Sequence, residues 1–169
     1  MPAKHLSLSG LFVAMGVLIP IVFHAVGLGS VFLPMFLPLA AAGFYLPLLA
    51  AMSVGLLTPM VSALATGMPP LSPPVAQLMA LEGLALTGVV GWLTGRRLPA
   101  MLALLAGLAA SRAVMVLWIV ALVPLLGLPA RALSAAALLQ GLPGIVLILV
   151  VVPVVLRRVP PQSRRGSHA

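Results

Sequence analysis

The sequence contains no cysteine and only one acidic residue, Glu82. The absence of cysteine excludes disulfides, thiolate metal sites and a cysteine nucleophile. A single carboxylate cannot form the carboxylate pair or the His–Asp couple of hydrolytic sites, and no phosphate-binding G-x-x-x-x-G-K-[ST] loop occurs. The three histidines are scattered along the chain. We therefore expect no enzymatic activity and no metal or cofactor site.

Charged residues of both signs are scarce, at 6% of the 169 residues, whereas 63% are hydrophobic. This is more apolar surface than a soluble domain can bury, and it predicts an integral membrane protein. The net charge is +8. Seven of the nine basic residues lie near the chain ends or in one short loop, where membrane topology explains them, so no nucleic-acid partner is expected.

The apolar blocks predict an all-α bundle of six transmembrane helices. The first span covers residues 6–26. The block at residues 31–65 would be about 52 Å long as one helix, against a hydrocarbon core of roughly 30 Å, so it is expected to fold back once, near Tyr45, Leu46 and Pro47. The remaining spans are predicted at residues 75–94, 100–126 and 133–156.

Six spans agree with the distribution of basic residues. They place Arg131 alone on one side, and the other side carries Lys4, Arg96, Arg97, Arg157, Arg158, Arg164 and Arg165. Because short loops rich in Lys and Arg stay in the cytoplasm, both termini are predicted to be cytoplasmic. Residues 1–159 then form one six-helix membrane domain, followed by a basic tail at residues 160–169 that we expect to be disordered.

Polar residues inside the predicted spans are the candidates for a functional site. At about 1.5 Å per residue, Glu82 lies roughly 21 Å from the loop at Arg96, and Arg112 on the next, antiparallel span lies at nearly the same depth. An ionisable residue at membrane depth is costly and often functional. Four further candidate ligand-binding side chains lie toward the outer ends of their spans: Gln77, Gln140, His24 and Trp118. The inner half has few polar side chains, so the pattern indicates a cup open to the outside rather than a channel or a complete carrier.

Two interpretations of the charged pair stay open, and they are compatible. Glu82 and Arg112 can satisfy each other as an ion pair, or they can contact a ligand directly. Glu82 suits a cationic or amine group and Arg112 a carboxylate or phosphate, so the charge of any ligand is not fixed. His24 also fits an interfacial position, and Trp118 fits either packing or stacking on a planar ligand.

Small residues recur at helical spacing and predict close helix packing. Gly83, Thr87, Gly91 and Gly95 form such a row on the fourth span, and Ala103, Gly107 and Ser111 form one on the fifth. Gly10 and Ala14 form a pair on the first span. The stripe of Thr58, Ser62 and Thr66 is expected to bond back to its own helix.

The chain resembles the substrate-binding S components of energy-coupling-factor (ECF) vitamin transporters. The resemblance rests on six predicted helices with cytoplasmic termini, on LPMFLP at residues 33–38 followed by AG at 42–43, and on the pair Gly10 and Ala14. It implies a high-affinity membrane protein that binds a small vitamin or cofactor precursor in a prokaryotic plasma membrane, as part of an ABC-type importer.

The resemblance also implies residue roles and partners. A pocket made mainly by the last three helices and the outer loops would take substrate from outside and would be faced by Glu82, Gln77, Arg112 and Gln140. Gly10 and Ala14 would contact a transmembrane T component coupled to two cytosolic ATPases, which would hydrolyse the ATP. The residues alone leave an alternative, namely a self-contained small transporter or an assembly subunit whose charged pair is structural.

Overall fold

A computed structural model describes residues 3–25, 27, 32–125 and 141–161, and every regular element in these ranges is helical. The helices are α1 (Ala3–Ala25), α2 (Phe36–Tyr45), α3 (Leu48–Thr66), α4 (Val75–Gly95), α5 (Ala100–Leu117) and α6 (Leu142–Arg158). A π-helical turn (Trp118–Leu122) continues α5 into a last short segment (Val123–Leu125).

Four of the described helical stretches are long and apolar enough to cross a membrane: Ala3–Ala25, Leu48–Thr66, Val75–Gly95 and Ala100–Ala121. The prediction of an all-helical chain with membrane-crossing helices is confirmed to this extent. Helix α2 has ten residues and α6 has 17. The tail at residues 162–169, the first part of the predicted sixth span at 133–140 and Arg131 lie outside the described residues.

The predicted fold-back of the long apolar block is confirmed. Helix α2 ends at Tyr45, Leu46 adopts an extended conformation with φ −106° and ψ 152°, and α3 begins at Leu48. The cause is Pro47, which has no N–H to donate and disfavours helical backbone in the residue before it.

The second helix begins later than the apolar block suggests. Residues 33–35 form a turn, and α2 starts only at Phe36. Pro34 lies in that turn, whereas Pro38 falls in the first turn of α2, where a missing N–H breaks no helical hydrogen bond. Hydropathy alone could not locate this start, because the turn is as apolar as the helix.

The small-residue rows mark close helix crossings, as predicted. A Cβ on Gly83 would overlap the backbone carbonyl of Gly55, so α3 and α4 are in backbone contact there. On α5, a Cβ on Gly107 would lie 2.5 Å from Val90 of α4. Gly95 differs, because nothing lies within 4 Å of where its Cβ would be.

Within the described residues, helix α1 packs through one face. Phe12, Gly16 and Pro20 are buried, and a Cβ on Gly16 would overlap Thr58 of α3. Gly10 and Ala14 are offset by two residues from this row, about 200° around the helix, and both are exposed. The sequence drew attention to the exposed pair, but the close packing inside the described fold uses Gly16.

The hydroxyl stripe of α3 bonds to backbone carbonyls. Thr58 Oγ1 donates to the Val54 carbonyl at 2.6 Å, and Thr66 Oγ1 donates to the Ser62 carbonyl at 2.8 Å. Ser62 instead reaches the Met68 carbonyl at 2.7 Å, just beyond the helix. The expected bonding back to the helix is confirmed for Thr58 and Thr66. It is wrong for Ser62, whose bond anchors the segment that leads to α4.

Basic residues gather at one end of the bundle. The corner between α2 and α3, at Leu46 and Pro47, lines two cavities. One cavity also contains Lys4 of α1 and Val159, which directly follows Arg157 and Arg158. The other contains Arg96 and Arg97. Lys4, Arg96 and Arg97 therefore lie near the same corner, whereas Arg164 and Arg165 lie outside the described residues. The predicted side of the membrane stays a prediction.

Candidate functional site

The two charged residues predicted at equal depth meet between α4 and α5. Arg112 Nη2 lies 2.7 Å from Glu82 Oε1, and the side chains are 17% and 4% exposed respectively. Small residues beside them, Gly83 on α4 and Ser111 on α5, are buried and let the two helices approach. The ion pair is therefore confirmed. A direct contact between the pair and a ligand stays a prediction.

The pair neutralises both charges but leaves polar atoms unsatisfied. Glu82 Oε1 is held by its 2.7 Å ion contact with Arg112 Nη2 and has no hydrogen-bond partner beyond it in the described chain. Arg112 reaches Met115 Sδ and Ser111 Oγ, each at a long 3.5 Å. Its buried Nε has no hydrogen-bond partner in the described chain. Leaving a buried donor unpaired costs on the order of 1–3 kcal/mol.

Other elements enclose the guanidinium group. The Phe36 ring of α2 has its centroid 5.7 Å from Arg112 Cζ, within the range of a cation–π contact. Gly141, which precedes α6, lies so close that a Cβ on it would be 3.4 Å from Arg112 Nη1. Residues from α2, α4, α5 and the start of α6 therefore converge here. Sequence reasoning missed Phe36 and Gly141, because nothing in the apolar pattern indicates which residues pack around Arg112.

A residue with strained backbone, Leu33, lies next to Gly141. Leu33 has a φ of 47°, a left-handed conformation that side-chain-bearing residues rarely adopt. Its side chain lies 3.0 Å from the Cβ position of Gly141. Such strain persists only where the surrounding structure fixes it, and it is concentrated at functional sites. The turn before α2 therefore packs closely against the start of α6.

Trp118 joins the pair through Met115. It is 8% exposed and packs with Leu78 and Met115, while Met115 also contacts Arg112. The indole Nε1 is buried without a hydrogen-bond partner in the described chain. Trp118 also begins the π-helical turn, and such turns are frequent at functional sites. We refer to Leu78, Glu82, Arg112, Met115 and Trp118 as the buried polar cluster.

Among the described residues, the other predicted ligand side chains, Gln77 and His24, form no hydrogen bond with the pair. Gln77 donates from Nε2 to the Leu71 carbonyl at 3.3 Å, while its Oε1 is buried and unpaired within the described chain. His24 lies exposed in the last turn of α1. Gln140 lies outside the described residues, although the next residue, Gly141, is beside Arg112.

The chemistry available at the cluster is recognition by hydrogen bonds. Unpaired donors are present at Arg112 Nε and Trp118 Nε1, and an unpaired acceptor at Gln77 Oε1, whereas Glu82 Oε1 is held by its ion contact with Arg112. Most buried polar side-chain atoms in folded proteins have partners. The two unpaired donors lie within the buried polar cluster, whereas Gln77 only precedes its member Leu78 in the sequence. Among the described residues, no group of three His, Cys, Asp or Glu side chains is placed to hold a metal ion.

Comparison of the chain with protein families, with curated proteins and with solved structures finds no match. The functional assignment therefore depends on the sequence pattern and on the geometry of the cluster.

Proposed function

We propose that this protein is the substrate-binding S component of an ECF-type importer in a prokaryotic plasma membrane. It would cross the membrane six times with both termini in the cytoplasm. A small vitamin-like molecule would bind at the buried polar cluster from the outside. Transport would follow from reorientation of the chain in a complex with a T component and two cytosolic ATPases.

The observation that carries this proposal is the set of unpaired polar atoms around the Glu82–Arg112 pair. A small molecule with an acceptor toward Trp118 Nε1 or Arg112 Nε would satisfy a donor that the described chain leaves unpaired. A donor on the same molecule could add a hydrogen bond to the Glu82 carboxylate beside its ion contact with Arg112. Hydrogen bonds to charged groups contribute roughly 1.5–3 kcal/mol each. Two or three of them, made out of contact with water, are enough to discriminate strongly among small polar molecules.

The exposed face of α1 supports the proposed partner. Gly10 and Ala14 lie opposite the face that packs on α3, and nothing lies within 4 Å of the Gly10 Cβ position. A pair of small residues four apart on an open helix face allows a second helix to approach closely. This is the contact expected for a T component.

A structural role is the second candidate function. The 2.7 Å contact between Glu82 and Arg112 neutralises both charges without any ligand. A transporter or assembly subunit that needed only this neutralisation would bind no small molecule at the cluster. The two functions differ in whether the isolated chain carries a ligand.

The test is to identify what the purified chain retains. Protein made in rich medium would be purified in mild detergent, extracted with organic solvent and analysed by liquid chromatography and mass spectrometry. The proposal predicts one small polar molecule near equimolar with the protein. Trp118→Phe keeps an aromatic ring but removes the unpaired N–H, and it should lower retention, whereas the control Trp92→Phe at the basic end should not. An empty wild-type protein, or equal retention by both variants, would contradict the proposal and favour the structural role.

A further inference from the structure

Of the two cavities at the basic end of the bundle, the one lined by Arg96 and Arg97 lies away from the buried polar cluster. It has a volume of about 800 Å³ and lies between the corner that joins α2 to α3 and the loop that joins α4 to α5. Its lining includes Phe44, Pro47, Trp92, Thr94, Arg96 and Arg97. The cavity thus combines an apolar wall with a basic rim.

The two arginines have no carboxylate to pair with in this part of the fold. Glu82 is the only acidic side chain in the sequence, and it is held by Arg112. Arg96 and Arg97 are both exposed, so an anion can reach them. Adjacent arginines with no internal counter-charge attract an external anion, and the planar guanidinium suits phosphate in particular.

The aromatic and polar groups of the cavity suit a headgroup at a membrane interface. The Arg96 guanidinium stacks over the Trp92 ring at 3.9 Å from the centroid. Stacking occupies the face of the guanidinium and leaves its N–H edge free to donate. Thr94 also lines the cavity, and its buried Oγ1 has no hydrogen-bond partner in the described ranges. Tryptophan is enriched where a membrane meets water, and Trp92 is 47% exposed.

The opposite wall of the cavity is apolar. It is formed by Phe44, Leu46 and Leu48 at the α2–α3 corner, and Leu48 is 38% exposed. A free inorganic anion would gain nothing from this wall, whereas a hydrocarbon chain would bury against it. The ligand that fits both parts of the cavity has a phosphate group joined to an acyl chain.

We propose that this cavity binds an anionic phospholipid. The phosphate lies on Arg96 and Arg97, and an acyl chain lies along the α2–α3 corner. Basic pockets between helices near the cytoplasmic leaflet, which carries anionic lipid, are suited to this recognition. The inference depends on placing the basic end at that leaflet and not on any ligand at the buried polar cluster.

Lipid retention tests the proposal. The full-length protein in detergent would be mixed with equal amounts of phosphatidylglycerol and phosphatidylcholine of identical acyl chains, and the retained lipids would be counted by native mass spectrometry. The wild type should retain phosphatidylglycerol preferentially. The double variant Arg96→Gln/Arg97→Gln should lose this retention by about 10- to 30-fold, as expected for two basic side chains near an anionic headgroup.

A matched control removes the same charge elsewhere at the basic end. Arg157→Gln/Arg158→Gln, in the exposed last turn of α6, should change retention less than about twofold, in keeping with loss of general surface charge alone. Equal loss in the two double variants would overturn the site and indicate non-specific attraction. Equal retention of the two lipids by the wild type would overturn the preference for an anionic headgroup. Displacement of bound lipid by millimolar inorganic phosphate would mean that the acyl chain contributes nothing, and would also overturn the proposal.

Discussion

Separating the two members of the buried ion pair should destabilise the protein far more than removing both. Glu82→Gln keeps the size of the side chain but leaves the charge of Arg112, which is only 17% exposed, without a counter-ion. Breaking a buried pair in this way costs about 3–5 kcal/mol. Because Arg112 retains some exposure, we expect Glu82→Gln to lower the free energy of unfolding by about 3 kcal/mol, the lower end of this range.

Replacing both partners should recover most of this loss. In Glu82→Gln/Arg112→Met the buried charge is gone, and the new methionine lies between Met115 and the Phe36 ring, where an unbranched apolar side chain packs well. Exchanging a buried pair for groups of similar volume is often neutral. The double variant should therefore lie within about 1 kcal/mol of the wild type, with a coupling energy of about 2 kcal/mol or more.

Equilibrium unfolding in mixed detergent micelles, followed by circular dichroism for the wild type, both single variants and the double variant, measures this coupling. Arg157→Met is the matched control, since it makes the same replacement at an exposed site in the last turn of α6 and should change stability by less than about 0.5 kcal/mol. If the losses from the two single variants simply add in the double variant, Glu82 and Arg112 do not stabilise each other and our reading of the 2.7 Å contact is wrong.

Three further predictions concern helix packing, the partner surface and topology. Gly83→Ala should lower the free energy of unfolding by about 3 kcal/mol, because the new Cβ would overlap the backbone of α3. The control Gly88→Ala, whose Cβ would have its nearest neighbour 3.5 Å away, should change it by less than about 1 kcal/mol. Equal losses in melting curves of the two variants would contradict the proposed crossing. Ala14→Trp should abolish uptake and co-purification of a T component yet leave ligand retention by the isolated chain intact, and normal uptake would exclude this face as the interface. A cysteine at Arg96 should be shielded from an impermeant thiol reagent in intact cells while one at Ser72 reacts, and labelling of position 96 would refute the orientation.

Features that depend on local chemistry or simple helix geometry were predictable from the sequence. A break at Pro47 could be expected because proline has no N–H to donate and disfavours helical backbone in the residue before it, although Pro20, Pro59 and Pro153 lie inside helices. Glu82 and Arg112 could be placed at one depth by counting residues from a single loop. The close approach of α4 to its neighbours could be expected from Gly83, because small residues permit it.

Features that depend on the path of the chain were not predictable. Phe36 and Gly141 contact Arg112 because α2 and α6 happen to converge there, and neither residue differs in pattern from its apolar neighbours. Gly16 is the glycine of α1 that packs closely, but the sequence offers no reason to prefer it to Gly10. Only the orientation of α1 against α3 distinguishes the two.

The central claim, that the isolated chain binds a small molecule at the buried polar cluster, is tested most directly by calorimetry. The ligand-free protein, with no partner subunit present, would be titrated with the molecule identified in the solvent extract. We predict one site with a Kd below about 1 μM, corresponding to about −8 kcal/mol, and a loss of affinity of about one to two orders of magnitude in Glu82→Gln. No saturable heat from the wild type, or unchanged affinity in a folded Glu82→Gln protein, would contradict the account.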